Sequence, residues 1–281
     1  MNHNLNRIAA AWILLAATCH ADEWADKGRD IFKKNQHAVV TVQVVVKTTY
    51  SGGGRSSNPT ESKSDLTGTV ISPSGLAVLA LSSVDPAELY RRLSDDIKID
   101  TQINDIKILL DDGAEIPSEI VLRDKDLDLA FIRPKTRPSA PMAAVDLSQS
   151  AAAAMLEPII TLNRLNQAAG RAYCASAERI AAVIQKPRTF YIPDTSQSAT
   201  SLGSPAFALN GNIVGIFVMR AVNAGEAGMR NAREYMTAII IPAEDILKGA
   251  KQAPEAKADT DKPVVKPADK PADTPAETKG Q

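Results

Sequence analysis

The stretch from Phe190 to Val218 constrains the fold more than any other part of the sequence. A short apolar run leads into a loop of small and polar residues, which contains Gly203 and Pro205. Asn210 and Gly211 then separate two segments with strand character. An Asn-Gly pair in this setting predicts a β-hairpin, because both central residues of a type I′ turn need positive φ. The pattern therefore predicts a strand, a loop and a hairpin in succession.

Two further segments have strand–turn–strand patterns. Gly68 to Gly75 is typical of a strand followed by a Pro-x-Gly turn, and Leu76 to Leu81 is the expected returning strand. Ile106 to Leu110 and Ile116 to Leu122 are separated by an Asp-Asp-Gly turn. The run Asp-Lys-Asp-Leu-Asp-Leu-Ala-Phe-Ile follows them, from Asp124 to Ile132. These patterns predict an all-β fold.

The rest of the chain adds strands and a few short helices. The β-branched run Ala38 to Val46 predicts the first strand, and the Gly/Ser/Asn-rich Ser51 to Ser64 predicts an exposed hairpin loop. Three short helices are expected at residues 22–36, 84–96 and 242–247. Strands of a second lobe are predicted at residues 159–162, 172–184, 189–192 and 235–241.

Together these motifs resemble the Deg (high-temperature-requirement) branch of the trypsin-like serine proteases. In that branch a segment ending Thr-Asp-Ala leads through a loop into Gly-Asn-Ser-Gly-Gly-Pro and a hairpin. In a gapless overlay, Asp194 falls on the family's Asp, Gly203 on the first of its paired Gly, and Pro205 on its Pro. The resemblance covers about Ala38 to Lys248. It implies two six-stranded β-barrels with short terminal helices.

The resemblance also implies where the catalytic triad would lie. The nucleophilic Ser position holds Leu202, the His position holds Ser82, and the Asp that orients the His is retained as Asp128. Leucine offers no nucleophile, and a hydroxyl cannot act as general base near neutral pH. The remnant of the oxyanion loop comprises Thr200, Ser201, Leu202 and Gly203. No catalytic residue is therefore expected, and Asp128 also fits a buried carboxylate that supports the core.

Other residues could replace the missing groups only in part. Ser201 or Ser204 could act as a displaced nucleophile, but each lacks a base and lies off the turn that aims the oxygen at the oxyanion hole. Cys174 is expected to be a buried small residue. Lys186 could form a Ser-Lys pair, although its spacing does not support one. His37 is expected to be a partly exposed histidine at the end of a strand.

The N-terminus resembles an export signal. Arg7 is followed by the apolar run Ile8 to Ala17 and by a small-x-small cleavage site that ends at Ala21. The apolar run is too short to span a bilayer. The alternative is a lipoprotein signal with the lipid on Cys19. Cleavage after Ala21 leaves Cys174 as the only thiol, so no intramolecular disulfide could form.

Composition limits the remaining classes of function. The formal net charge of −1 gives no electrostatic case for nucleic acid or for an anionic membrane surface, so membrane contact is expected only through a lipid on Cys19. The sequence has no metal-binding cluster and no Gly-rich phosphate loop, so neither a metal nor a cofactor is expected. Residues 251–281 are rich in Pro, Lys and Ala and are predicted to be a disordered tail.

The predicted organisation is a signal peptide (residues 1–21), a helix or linker (22–36), a double barrel (37–250, with lobes at about 37–134 and 140–250) and the tail. The resulting hypothesis is an exported, periplasmic or envelope-associated pseudoprotease that binds an extended peptide or protein. The alternative is an active, divergent trypsin-like serine endopeptidase. A third hypothesis is a structural subunit that binds an active protease homologue, and homo-oligomerisation is left open.

Overall fold

A computed structural model of the protein describes residues 24–52, 55–93, 98–194, 202–223 and 231–255. The predicted signal peptide, Cys19, Thr200 and Ser201 lie outside these residues, as does most of the predicted tail, from residue 256 onward. The tail was predicted to begin at residue 251, which was too early: Lys251 and Gln252 donate backbone hydrogen bonds to the last helix, and Ala253 is buried against the core. Among the described residues, no helix is both long and apolar enough to cross a bilayer.

Strands make up most of the described chain. They are β1 (Val39–Gly52), β2 (Arg55–Ser56), β3 (Thr60–Val70), β4 (Ala77–Ala80), β5 (Lys98–Leu109), β6 (Glu115–Asp124), β7 (Leu129–Pro134), β8 (Pro158–Arg164), β9 (Tyr173–Ile184), β10 (Phe190–Pro193), β11 (Pro205–Ala208), β12 (Ile213–Ala221) and β13 (Met236–Pro242). The α-helices are α1 (residues 24–35), α2 (Leu81–Val84), α3 (Pro86–Leu93), α4 (Ala232–Tyr235) and α5 (Ala243–Ala250). Short 3₁₀ turns occupy Gln36–Ala38 and Gln167–Ala169.

The first barrel forms from β1 to β7. Its seven strands are ordered β2-β1-β3-β4-β7-β6-β5, and β1 also pairs with β5, so all of them except β2 close into a barrel. Along β1, the side chains of Val40, Val42, Val44 and Val46 are buried in one apolar cluster. Successive side chains of a strand point to opposite faces, so this alternation places one face of β1 in the core.

The second barrel closes in the order β10-β13-β12-β11-β8-β9. The chain is therefore two closed, six-stranded antiparallel barrels with few short helices, and this prediction of the fold is confirmed. A large apolar cluster joins the barrels. It combines Phe131 of β7 and Val218 of β12 with Ile246 of α5 and Ile31 of α1. The helix expected at residues 22–36 is thus present as α1, and it packs on the core through Ile31 and Phe32.

The exposed hairpin loop predicted over Ser51 to Ser64 is present but much shorter, because strands extend into both of its ends. β1 runs on to Gly52, and β3 begins at Thr60, which lies opposite Thr48. The other edge of this part of β1 pairs with β5, as far as Ser51 opposite Lys98. Ladder hydrogen bonds on both edges hold β1 extended where its side chains are polar. The apolar alternation that signals a strand is missing because the neighbouring part of β3 is exposed.

The hairpin at Asn210 and Gly211 is present, but its turn is not type I′. Gly211 has a φ of 84°, whereas Asn210 is not among the residues with positive φ. The Asn210 side chain instead accepts a hydrogen bond from the N–H of Asn212, at 3.0 Å. A bulge at Ala206 and Phe207 shifts the register of β11 against β12. Residues 209–212 connect the two strands, so the connection is longer than the two-residue turn that the Asn-Gly pair predicts.

Candidate functional site

Asp128 lies at the junction of the two barrels, at the end of the β6–β7 turn. It has a φ of 57°, and only 2% of the residue is exposed. Its carboxylate accepts hydrogen bonds from the N–H of Ser82 at 2.9 Å and from the Ser82 hydroxyl at 2.8 Å. The N–H of Met219 donates a third bond at 2.9 Å. Asp128 thus ties α2 of the first barrel to β12 of the second.

This arrangement determines what Asp128 and Ser82 can do chemically. The Ser82 hydroxyl donates a hydrogen bond to a carboxylate oxygen of Asp128, so this donor already has its acceptor within the protein. A serine in this place cannot take a proton from a neighbouring nucleophile near neutral pH. The Asp–Ser pair therefore acts as a buried structural link in the arrangement seen here.

The segment from Leu202 to Ser204 is bonded to β12 of the second barrel and to β3 of the first. Leu202 is partly buried and packs on the apolar cluster between the barrels. The N–H of Gly203 donates to the carbonyl of Phe217 at 2.7 Å, and its own carbonyl accepts from the hydroxyl of Thr69 at 2.8 Å. Ser204 is fully buried, so its hydroxyl is not presented to a substrate. Ser201, the other serine considered as a displaced nucleophile, lies outside the described residues.

Gly203 is held tightly by its surroundings. Its φ is 94°, and a Cβ added there would lie 2.1 Å from the carbonyl oxygen of Thr67. We expect Gly203→Ala to lower the free energy of unfolding by more than about 2 kcal/mol, because positive φ and a backbone collision combine. Urea denaturation would measure this loss.

Gly211→Ala is the matched control for that change. Gly211 has a φ of 84°, but nothing lies within 4 Å of its added Cβ. This variant should lose only about 1 kcal/mol. Equal losses in the two variants would contradict the role assigned to the contact with Thr67.

The remaining candidate residues belong to other elements of the fold than Asp128 does. Cys174 is half-buried near the start of β9, so the expectation that it is buried was wrong; the first residues of β9 are all only partly buried or exposed. Lys186 is exposed in the β9–β10 turn, and Asp194 is exposed just after β10, as expected for a strand-end residue. Within the described ranges, no group of three or more His, Cys, Asp or Glu side chains could hold a metal ion.

His37 takes part in a contact between the barrels that the sequence did not indicate. Its side chain is 61% exposed, in the turn before β1, so the expected exposure is confirmed. Its Nδ1 lies 3.3 Å from Oδ2 of Asp111 and 3.2 Å from the hydroxyl of Tyr173. The Tyr173 hydroxyl donates to Asp111, as does the Arg164 guanidinium at 2.9 Å. Residues from two turns and two strands that are distant in the sequence meet here, so no local sequence pattern could predict the cluster.

The electrostatics of this cluster have a clear direction. Partial burial raises the pKa of Asp111, but hydrogen bonds from Tyr173 and Arg164 outweigh it, and the pKa lies below its usual value. Burial, followed by the hydrogen bond to Asp111, raises the pKa of Tyr173 to about 12. The folded state therefore favours ionised Asp111 and neutral Tyr173.

The lowered pKa of Asp111 predicts how stability depends on pH. Its contribution is present above the pKa of an unfolded-state aspartate, about 4, and is lost as the pH falls through the lower folded-state value. We expect Asp111→Asn to cost about 1 kcal/mol or less near neutral pH, since the half-exposed carboxylate is screened by solvent. Denaturation at neutral pH and at about pH 3 should show the difference shrinking in acid. A difference that grew in acid would contradict this account.

A cleft of about 360 Å³ opens beside Asp128. Its walls come from the β6–β7 turn, from β12 and β13, and from the start of β10. The apolar lining residues are Leu127, Phe190, Val218, Met219, Ala221, Ile239 and Ile241. The charged ones are Lys125, Asp126, Asp128, Arg188 and Arg220.

One edge of β12 lies next to Asp128. β11 pairs with β12 only as far as Ile216, while β13 covers the opposite edge through Ala221. The N–H and C=O of one residue point to the same edge of a strand, and successive residues alternate between the two edges. The N–H of Met219 points at Asp128. By this alternation, the C=O of Met219 and both backbone groups of Ala221 lie on the Asp128 edge. No strand within the described ranges pairs with this edge from Val218 to Ala221.

Two closed antiparallel barrels that meet at a buried aspartate define the trypsin-like class of β-proteins. The family model of the trypsin-like peptidase domain matches residues 33–216. The chain therefore belongs to the trypsin-like peptidase family. A similar solved structure is the apo form of the MamO protease domain from Magnetospirillum magneticum, with 17% sequence identity, a TM-score of 0.48, and coverage of 77% of this chain and 97% of that one. No curated protein matches the sequence.

Proposed function

We propose that the protein is a catalytically inactive member of the family, close to the Deg branch, that binds extended peptide or protein segments. The observation that carries the proposal is the hydrogen bond from the Ser82 hydroxyl to Asp128, 2.8 Å long. In the family, the carboxylate at this position orients a catalytic histidine. In this protein the Ser82 hydroxyl, not an imidazole, donates to the carboxylate of Asp128. The position assigned to the nucleophile holds Leu202.

Peptide binding does not need the missing groups. An extended segment that adds a strand to a sheet gains its affinity from main-chain hydrogen bonds. The β12 edge from Val218 to Ala221 offers such bonds beside the apolar wall of the cleft. A partner could be an unfolded segment, or a loop of an active protease homologue.

Export completes the proposal. We infer that residues 1–21 are removed as a signal peptide, which places the mature protein in the periplasm or cell envelope; a lipid on Cys19 is the alternative. The segment beyond residue 255 would then tether or space the barrels near the envelope, because its composition cannot bury a core.

Labelling with a fluorophosphonate probe tests the loss of catalysis. We expect the purified mature protein to remain unlabelled and to leave casein intact, because nothing activates a nucleophile. An active trypsin-like protease of known concentration is the positive control. Labelling of the unaltered protein would overturn the proposal and direct attention to Ser201 or Ser204.

A proline at position 221 tests the binding edge. By the alternation along β12, the N–H of Ala221 faces the Asp128 side, so Ala221→Pro should leave the bonds between β12 and β13 in place. We expect the affinity for a fluorescein-labelled peptide of alternating Thr and Val to fall by about tenfold, as the ring removes a donor and blocks the edge. Fluorescence polarisation would measure it. Ala221→Val keeps the N–H and is the control; equal affinities of the two variants would refute strand addition here.

A further inference from the structure

We propose that the cleft beside Asp128 selects extended peptides that carry a carboxylate, and that Arg220 recognises it. This inference rests on the peptide-binding function proposed above and names the chemistry of the ligand. The carboxylate could belong to an acidic side chain or to a free C-terminus, since both present the same pair of oxygens.

The first support is the charge available at the cleft. Lys125, Arg188 and Arg220 line it, against Asp126 and Asp128. The Asp128 carboxylate is buried and already accepts three hydrogen bonds, so little of its charge is available to a ligand. Asp126 is exposed in the β6–β7 turn. The cleft is thus effectively cationic towards an entering peptide.

Arg220 is the cation best placed to give specificity. It belongs to β12 itself, one residue from the backbone groups of Met219 and Ala221 that a peptide would pair with. Its guanidinium lies 4.9 Å from the ring centroid of Phe190, whose side chain is buried. Stacking on an aromatic ring limits the freedom of the guanidinium while leaving its N–H fork able to meet a carboxylate with two parallel bonds.

Within the described residues, neither Arg188 nor Arg220 forms an ion pair. The ion pairs found there involve other residues, and none joins a carboxylate to Arg188 or Arg220. By contrast, Arg164 and Arg171 pair with Asp111 and Asp65. A carboxylate that entered the cleft would therefore not have to displace any carboxylate of the described residues from Arg220.

The apolar lining suits the stem that carries the carboxylate. Val218, Ile239 and Ile241 lie behind the charged rim and belong to the buried cluster between the barrels. The methylenes of a glutamate, or the side chain of a C-terminal residue, would contact these side chains while the oxygens meet Arg220. Burial of apolar stems beside a charged group adds to affinity without changing the charge preference.

Four fluorescein-labelled peptides test the inference. Each begins Thr-Val-Thr-Val; three end in Glu, Gln or Lys with an amide C-terminus, and the fourth ends in Gln with a free carboxylate. We expect at least one of the two carboxylate peptides to bind about tenfold or more tightly than the Gln amide, as charge-assisted hydrogen bonds are worth that much. The stronger of the two identifies the source of the carboxylate. The preference should weaken with added salt.

Variants of Arg220 assign the preference to this side chain. Arg220→Met keeps length and loses charge, so it should abolish the preference while leaving binding of the Gln amide within about threefold. Arg179→Met is the matched control, because Arg179 also stacks on an aromatic ring, Trp24, at 4.8 Å, but does not line the cleft. An unchanged preference in Arg220→Met would overturn the role of Arg220.

The peptide series tests carboxylate selection separately from peptide binding itself. Equal affinities for the Glu, Gln and Lys amides and the free acid would overturn carboxylate selection and leave peptide binding standing. Tighter binding of the Lys amide would do the same. Failure of all four peptides to bind would overturn both proposals.

Discussion

Changing Ser82→His and Leu202→Ser together should turn an unlabelled protein into one that a fluorophosphonate probe labels at the hydroxyl introduced at position 202. Asp128 already lies beside position 82 and would accept a hydrogen bond from an imidazole there, which fixes the ring for proton transfer. The turn at Gly203 is held by its bonds to Phe217 and Thr69. General-base assistance contributes about 10²–10⁴-fold, so labelling should rise by a comparable factor.

The single variants are the controls for this result. Leu202→Ser alone supplies a hydroxyl without a base, and Ser82→His alone supplies a base without a nucleophile, so both should stay near the background rate. Mass spectrometry of the labelled peptide would locate the adduct. A folded double variant that remained unlabelled would show that positions 82 and 202 do not meet as the triad assignment requires.

Removing the Asp128 carboxylate should give the largest loss of stability. Asp128→Ala leaves the N–H and hydroxyl of Ser82 and the N–H of Met219 without their acceptor at a buried junction. Each buried group that loses its partner costs about 1–3 kcal/mol, so the free energy of unfolding should fall by about 3–5 kcal/mol. Urea denaturation of the purified variants would measure it, read from the midpoint at constant m-value.

Two milder variants separate charge from shape at this junction. Asp128→Asn keeps the shape and tolerates the positive φ, but its NH₂ group would face N–H donors, so it should lose less than the alanine variant. Ser82→Ala removes one donor and should cost about 1 kcal/mol. A loss below about 1 kcal/mol in Asp128→Ala would contradict the structural role of the carboxylate.

Much of the fold could be predicted locally because its signals are local. The alternation along β1, the Pro-x-Gly turn before β4 and the glycine at position 211 each act through residues close in sequence. Where both faces of a strand are solvated, this signal vanishes, so the sequence predicts a loop over the last two residues of β1 and the first five of β3. Their extended form depends on partner strands that are distant in sequence.

The candidate site, too, could be predicted from the sequence only in part. The sequence by itself determined which side chains stand at positions 82, 128 and 202, and hence which chemistry those positions can supply. Only the tertiary structure decided that the Ser82 hydroxyl donates to Asp128, that Ser204 is buried, and that Arg220 stacks on Phe190. These contacts join residues far apart in the chain, and closure of the two barrels brings them together. Residue type sets what a group can do, while the packing of distant strands sets what it meets.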